Sequence, residues 1–278
     1  MSRFLTRLAS ISRKNQSLVC VGLDPDPALM PIRDVLAFNK AIVDATRDLV
    51  CAFKPNLPFY EAMGTEGLQA LSDTVEHIRT AAPDVLLIGD GKRGDIASTN
   101  KMYATALFEY WGFDAATVNA YAGLDALEPF FEYGDQGVFI WCRSSNPGAG
   151  ELQDVNVPGQ SNGMPIYQWL AQRATESNGR GNVGLVVGAT YPEELRTVRK
   201  LAVGLPILVP GIGAQGGELE LSVKAGLASG DPNLLISSSR GILYASKSAT
   251  DFPNAARAAA ATLREDINRT LDEVGRGW

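Results

Sequence analysis

The chain reads as an α/β protein, a (β/α)8 barrel (TIM barrel) with an extra helix ahead of the first strand. Short apolar runs recur along its whole length, each followed by a segment with helical spacing. The runs are continuous and do not alternate, as strands covered on both faces require, and this implies a parallel sheet. Eight such units fill 278 residues with no break in composition. A closed barrel suits that count better than an open, doubly wound sheet, and the whole of 1–278 reads as one domain.

The N-terminal segment places Phe4, Leu5, Leu8 and Ile11 at helical spacing between basic residues. A signal peptide needs a continuous apolar core, so a helix packed on the fold is preferred; an Arg- and Ser-bearing mitochondrial presequence is the weaker competitor. The first strand falls within 17–24, and a helix over 37–50 carries Ile42, Val43, Leu49 and Val50. The second strand lies within 51–56, and 65–81 puts Leu68, Leu71, Val75 and Ile78 on one helical stripe. The third strand starts in the apolar run 85–88. Ser98 and Thr99 offer caps for a helix reaching about residue 111.

The fourth strand is read at 114–119, a short helix at 123–132, and the fifth strand at 137–145. Residues 146–163, rich in Gly, Pro, Gln and Asn, form too long a stretch for an ordinary connector and read as an active-site loop. A helix at 166–176 and the sixth strand at 183–189 follow. Pro192 opens the next helix at a favoured first position. The seventh strand is 206–212, a helix covers 218–225, and the eighth strand is 233–239. The last helix, from about 254, has Leu263, Ile267, Leu271 and Val274 on one stripe.

Composition narrows the function. A net charge of −6 argues against a general polyanion binder such as a nucleic-acid domain. No run approaches the roughly 18 apolar residues of a membrane span. Cys20, Cys51 and Cys142 lie in or beside apolar runs without metal-like spacing, so they read as buried free thiols in a reducing, cytoplasmic setting. The single histidine, His77, falls off its helix's apolar stripe, which makes a histidine-based triad or metal site improbable.

Barrel active sites sit at the carboxyl ends of the strands. There this chain places Asp24, Lys54, Asp90, Lys92, Ser145, Gln215 and Arg240. Within 87–100, Asp90 and Lys92 stand two residues apart, so a strand reaching that far presents a carboxylate and an ammonium on one face. Asp95 follows just beyond. Buried charges are costly unless paired, so such a cluster is poor core material. A lysine between carboxylates favours its ammonium form, which suits a proton donor better than a Schiff-base former. After the seventh strand, 210–217 is glycine-dense, and after the eighth come Ser237, Ser238, Ser239, Arg240 and Gly241. Loops in these two positions commonly bind phosphate.

These segments, in order, are Phe53-Lys-Pro-Asn56, Asp90-Gly-Lys-Arg-Gly-Asp-Ile96, Ser145-Asn-Pro-Gly148, 210–217 and Ser239-Arg-Gly241. Together they resemble the orotidine 5′-phosphate decarboxylase family, and more narrowly its longer bacterial subgroup. The resemblance runs from about 18 to 241. It implies removal of CO2 from orotidine 5′-phosphate, the last step to uridine 5′-phosphate, with neither metal nor organic cofactor. Lys92 would protonate C6, Asp90 would lie against the departing carboxylate, and Lys54 would hold Asp90 and the ribose. Asp95 and Thr99 would reach the partner's site in a homodimer. Asp24 would bind ribose hydroxyls, Ser145 the pyrimidine edge, and Pro210 would lie against the base. Gln215, Arg240 and amides near Gly241 would grip the phosphate.

Arg93 gains no role from the residues. The Asp-x-Lys-x-x-Asp core is shared with hexulose-phosphate synthases and keto-gulonate-phosphate decarboxylases. A metal-dependent lyase on sugar phosphates and a non-catalytic nucleotide-binding barrel remain the alternatives.

Overall fold

The computed structural model describes residues 2–159, 163–211, 216–228 and 233–278, with only the backbone of 216 and 217. The strands are β1 (Val19–Leu23), β2 (Ala52–Pro55), β3 (Leu86–Arg93), β4 (Ala115–Val118), β5 (Gly137–Arg143), β6 (Val183–Val187), β7 (Ile207–Pro210) and β8 (Leu234–Ser238). They pair in chain order, all parallel, and β8 closes on β1. Every residue of β1, β2, β4, β6 and β8 is buried, as continuous apolar runs between a packed barrel interior and a helical layer require.

Helix α1 (Arg3–Asn15) is capped by Ser2 Oγ, which accepts from the Leu5 amide. Its predicted stripe is buried: Phe4, Leu5, Leu8 and Ile11 all face inward. The Phe4 ring meets Phe139 edge-on at 5.7 Å, and Arg7 pairs with Asp114 just before β4. This helix therefore packs at the amino-terminal ends of the strands, away from the mouth.

The outer layer continues with α2 (Val35–Thr46), α3 (Leu57–Glu61) and α4 (Gly64–Ala81). The buried face of α4 is Gly67, Leu71, Thr74 and Ile78, while Leu68 is exposed. The stripe is displaced because the short α3 lies directly over this helix. A Cβ at residue 67 would fall 2.1 Å from the Tyr60 carbonyl, so glycine must face inward there.

Helix α5 (Ala97–Ala104) runs into a π-helical stretch, Thr105–Tyr110. Ile96 occupies its cap position with no side-chain capping bond, so neither Ser98 nor Thr99 is the cap. Asn100 instead braces the turn ahead of the helix: its side chain accepts from the Asp95 amide at 2.9 Å and donates to the Asp95 carbonyl at 2.7 Å.

The remaining helices are α6 (Glu128–Phe131), α7 (Gly150–Gln153), α8 (Ile166–Glu176), α9 (Pro192–Leu201), α10 (Gly216–Gly226), α11 (Arg240–Leu243) and α12 (Phe252–Glu273). The 146–163 stretch is thus partly helical, and an antiparallel bridge pairs Asn156 with Pro165. Helix α12 begins two residues before its predicted start. Its last predicted stripe residue, Val274, is exposed beyond its end.

Candidate active site

The carboxyl ends of the strands surround a cavity of about 580 Å³, a size usual for small-molecule sites. Asp90 lies on its floor, buried, where β3 makes an isolated bridge to Asn56. Lys54 Nζ donates to Asp90 Oδ2 at 2.5 Å, and Lys92 Nζ donates to Asp90 Oδ1 at 2.7 Å. The Thr117 hydroxyl donates to the same Oδ1 at 2.7 Å. Burial by itself would raise the Asp90 pKa, but the Lys54 and Lys92 ammonium groups outweigh it and hold the carboxyl below the usual carboxylate range. Burial would likewise lower Lys54, yet Asp90 and Asp24 outweigh it and raise that ammonium above its ordinary value.

The strand does reach Lys92, though not by regular alternation. Pairing with β4 shifts register between Asp90 and Arg93, and Lys92 adopts a left-handed backbone with φ 44°. For a side chain with a Cβ that conformation costs about 1–2 kcal/mol. Two contacts offset it: the Lys92 amide donates to Thr117 Oγ1 at 3.0 Å, and Asn119 Nδ2 donates to the Lys92 carbonyl at 2.7 Å. The irregularity turns the ammonium into the mouth, beside the Trp141 ring at 5.9 Å from its centroid.

Around the rim, Asp24 follows β1, and its buried Oδ1 has no hydrogen-bond partner among the described residues. Tyr244 pins that turn: its hydroxyl donates to the Asp24 carbonyl at 2.6 Å and accepts from the Asp26 amide at 2.7 Å. A Cβ at residue 22 would fall 1.9 Å from Ser239 Oγ, so only glycine lets the β8 exit lie this close to β1. Ser145 lies against Gly188 in the same manner, with a Cβ there 2.8 Å from its own.

Pro210, Gly211, Ser237, Ser238, Arg240 and Gly241 border the cavity on the β7–β8 side. Arg240 is exposed and makes no ion pair among the described residues. Gln215, the other predicted phosphate ligand, lies outside the described residues.

The structure therefore brings together Lys54, Asp90 and Lys92, and arrays Asp24, Ser145, Pro210, Arg240 and Gly241 around them. It does not bring Asp95 or Thr99 to this chain's own cavity. Asp95 is exposed, and its Oδ1 accepts from the Ile96 amide at 2.7 Å. Sequence reasoning passed over Thr117 and Asn119, although polar residues at the end of an apolar run were a usable signal. It also passed over Trp141, Arg143 and Tyr244. Arg93 turns away to pair with Glu61 and covers the Tyr103 ring at 5.3 Å.

The three thiols are buried and free, and burial pushes Cys20 and Cys142 up to about 12. His77 bonds Asp44 at 2.9 Å, away from the mouth. Among the described residues no His, Cys, Asp or Glu cluster has the makings of a metal site, and no helix is long and apolar enough to cross a membrane.

Known proteins match this architecture over almost its full length. The chain is 52% identical to the orotidine 5′-phosphate decarboxylase of Thermomicrobium roseum, covering 98% of this chain and 97% of that protein. It is 47% identical to that of Roseiflexus castenholzii, covering 98% and 99%. The solved structure of Leishmania donovani OMP decarboxylase superposes with a TM-score of 0.83 at 38% identity, covering 97% of this chain and 98% of that one. Residues 17–254 match the orotidine 5′-phosphate decarboxylase / HUMPS family. The chain belongs to that family, and within it stands with the orotidine 5′-phosphate decarboxylases.

Proposed function

We propose that this chain converts orotidine 5′-phosphate to uridine 5′-phosphate and CO2, with Lys92 as the proton donor. The observation that carries the reading is Asp90 held between two ammonium groups at the mouth, across the cavity from Arg240. The bond from C6 to the carboxylate carbon breaks, the electron pair stays at C6, and the Lys92 ammonium supplies the proton that replaces CO2. Asp90 lies against the departing carboxylate, while Lys54 keeps Asp90 in place and contacts the ribose. Both Asp90 oxygens are already engaged by lysines, an arrangement that favours charge stabilisation by the chain over magnesium coordination. The scheme needs no cofactor.

Asp24, with its partnerless oxygen, takes ribose hydroxyls. Ser145 takes the pyrimidine edge, Pro210 lies along the base, and Arg240, Gly241 and Gln215 hold the phosphate. Asp95 and Thr99, which do not border their own cavity, complete the site of a second copy in a homodimer. The setting is the cytoplasm.

The test is loss of orotidine monophosphate absorbance, measured with and without a chelator, beside sedimentation of the active species. Turnover that survives chelation in a dimer is the expected result. Turnover abolished by the chelator would overturn the scheme, and full activity in a monomer would remove the role of Asp95.

A further inference from the structure

The last residue of β5, Arg143, is 3% exposed and plays no part in the scheme above. A buried guanidinium is costly unless its charge and its donors are met. Both side chains that accept hydrogen bonds from it come from the segment that follows the strand, while its Nε has no partner among the described residues. Arg143 Nη1 lies 3.0 Å from Asp154 Oδ1 and donates to Gln153 Oε1 at 3.3 Å. Nη2 donates to Asp154 Oδ2 at 3.3 Å and lies 3.9 Å from Glu194. The guanidinium carbon sits 5.2 Å from the Tyr167 ring centroid and 4.8 Å from that of Tyr191, a planar cation between two aromatic faces.

The Gln153 oxygen that meets Arg143 also accepts from the Ser144 amide at 2.9 Å, and Ser144 Oγ accepts from the Asn146 amide at 3.1 Å. Ser144 and Ser145 both border the cavity. One cation thus joins the barrel wall, the 150–155 segment and the strand exit that carries Ser145.

We propose that Arg143 is a positioning residue, a buried latch that fixes 150–155 beside the mouth and so sets Ser145 for the pyrimidine. An apolar residue of similar volume would fill the space but release the segment. Exposed Leu152 and Val155 show that little apolar burial holds it. The role of Ser145 rests on the decarboxylase reading, while the latch itself does not.

The full-length protein and Arg143→Ala, Asp154→Asn and the double variant are compared by steady-state kinetics on orotidine 5′-phosphate. Arg143→Ala is expected to raise KM about tenfold with kcat changed less than about threefold, and added methylguanidinium to recover part of that loss. Asp154→Asn, on an exposed side chain, raises KM less and adds nothing in the Arg143→Ala background. An unchanged KM in Arg143→Ala, multiplicative effects in the double variant, or no rescue by methylguanidinium would overturn the latch. If Arg143→Ala does not fold, Asp154→Asn and Arg143→Lys carry the same comparison, and wild-type KM in both overturns it. Should the parent protein fail to turn over the nucleotide, the decarboxylase reading falls by itself. Proteolytic cleavage within 150–155 then decides the latch, and equal rates with and without Arg143 would refute it.

Discussion

At the amino-terminal end of the barrel, Arg199 and Asp114 are met by fixed protein groups. Arg199, fully buried, donates to the carbonyls of Gly226, Leu205 and Asn233 at 2.7, 2.7 and 3.0 Å. Asp114 accepts from Arg7, from Arg79 at 2.8 Å and from the Leu87 amide at 2.8 Å. At the carboxyl end, the charges are paired only in part and face a cavity. Asp24 keeps a buried oxygen without a partner, Arg240 makes no ion pair among the described residues, and Lys92 stands in a strained backbone conformation. Charge at one end closes the barrel. At the other it borders the cavity, and on the proposed function the substrate's ribose and phosphate supply the partners that Asp24 and Arg240 lack.

The sharpest way to break this contrast is Lys92→Ala. Turnover should fall by ~10³-fold or more, the scale of a lost proton donor and charge stabiliser, with little change in melting temperature. Near-normal turnover would end the assignment. Arg240→Ala should lower kcat/KM for the phosphorylated substrate by roughly 10²-fold while hardly touching the bare nucleoside. Equal losses on both would place Arg240 outside the phosphate grip.

The opposite end should respond in stability alone. Arg199→Met leaves several buried carbonyls unpaired and should cost about 3 kcal/mol in urea unfolding, with kcat within about twofold of the parent. A large kcat effect would erase the division between the two ends.

The smallest effect is a titration. Asp90 has its pKa depressed on folding, so its contribution to stability is present above the unfolded value and is lost only as pH falls through the lower folded value. Lys54 is raised, so its contribution is present below the unfolded value and is lost as pH rises through the higher folded one. The pair therefore stays charged between those limits. The Asp90 carboxyl carbon, followed by NMR, should remain a carboxylate as pH falls through about 4. Protonation in the ordinary range would show that the two lysines do not govern it.

Much of this molecule was legible before its structure. Residues buried on both sides must be apolar in sequence, so eight uninterrupted runs marked eight strands and their polar ends marked the mouth. Phe4, Leu5, Leu8 and Ile11 announced α1 because a helix with one buried face repeats every 3.6 residues. Lys54, Asp90 and Lys92 were visible because charge at the end of an apolar run needs a reason.

What only the tertiary structure decided lies in contacts between distant segments. Leu68 points outward and Gly67 inward because Tyr60 comes from another helix. Lys92 reaches the mouth through a backbone turn held by Thr117 and Asn119, which no local spacing encodes. Arg143 carries no signal in the sequence, and its setting appears only when Asp154, Tyr167 and Tyr191 fold around it. Periodicity records which side of an element is buried. The identity of the neighbour, and hence the work a buried charge performs, follows from the packing of elements far apart in the chain.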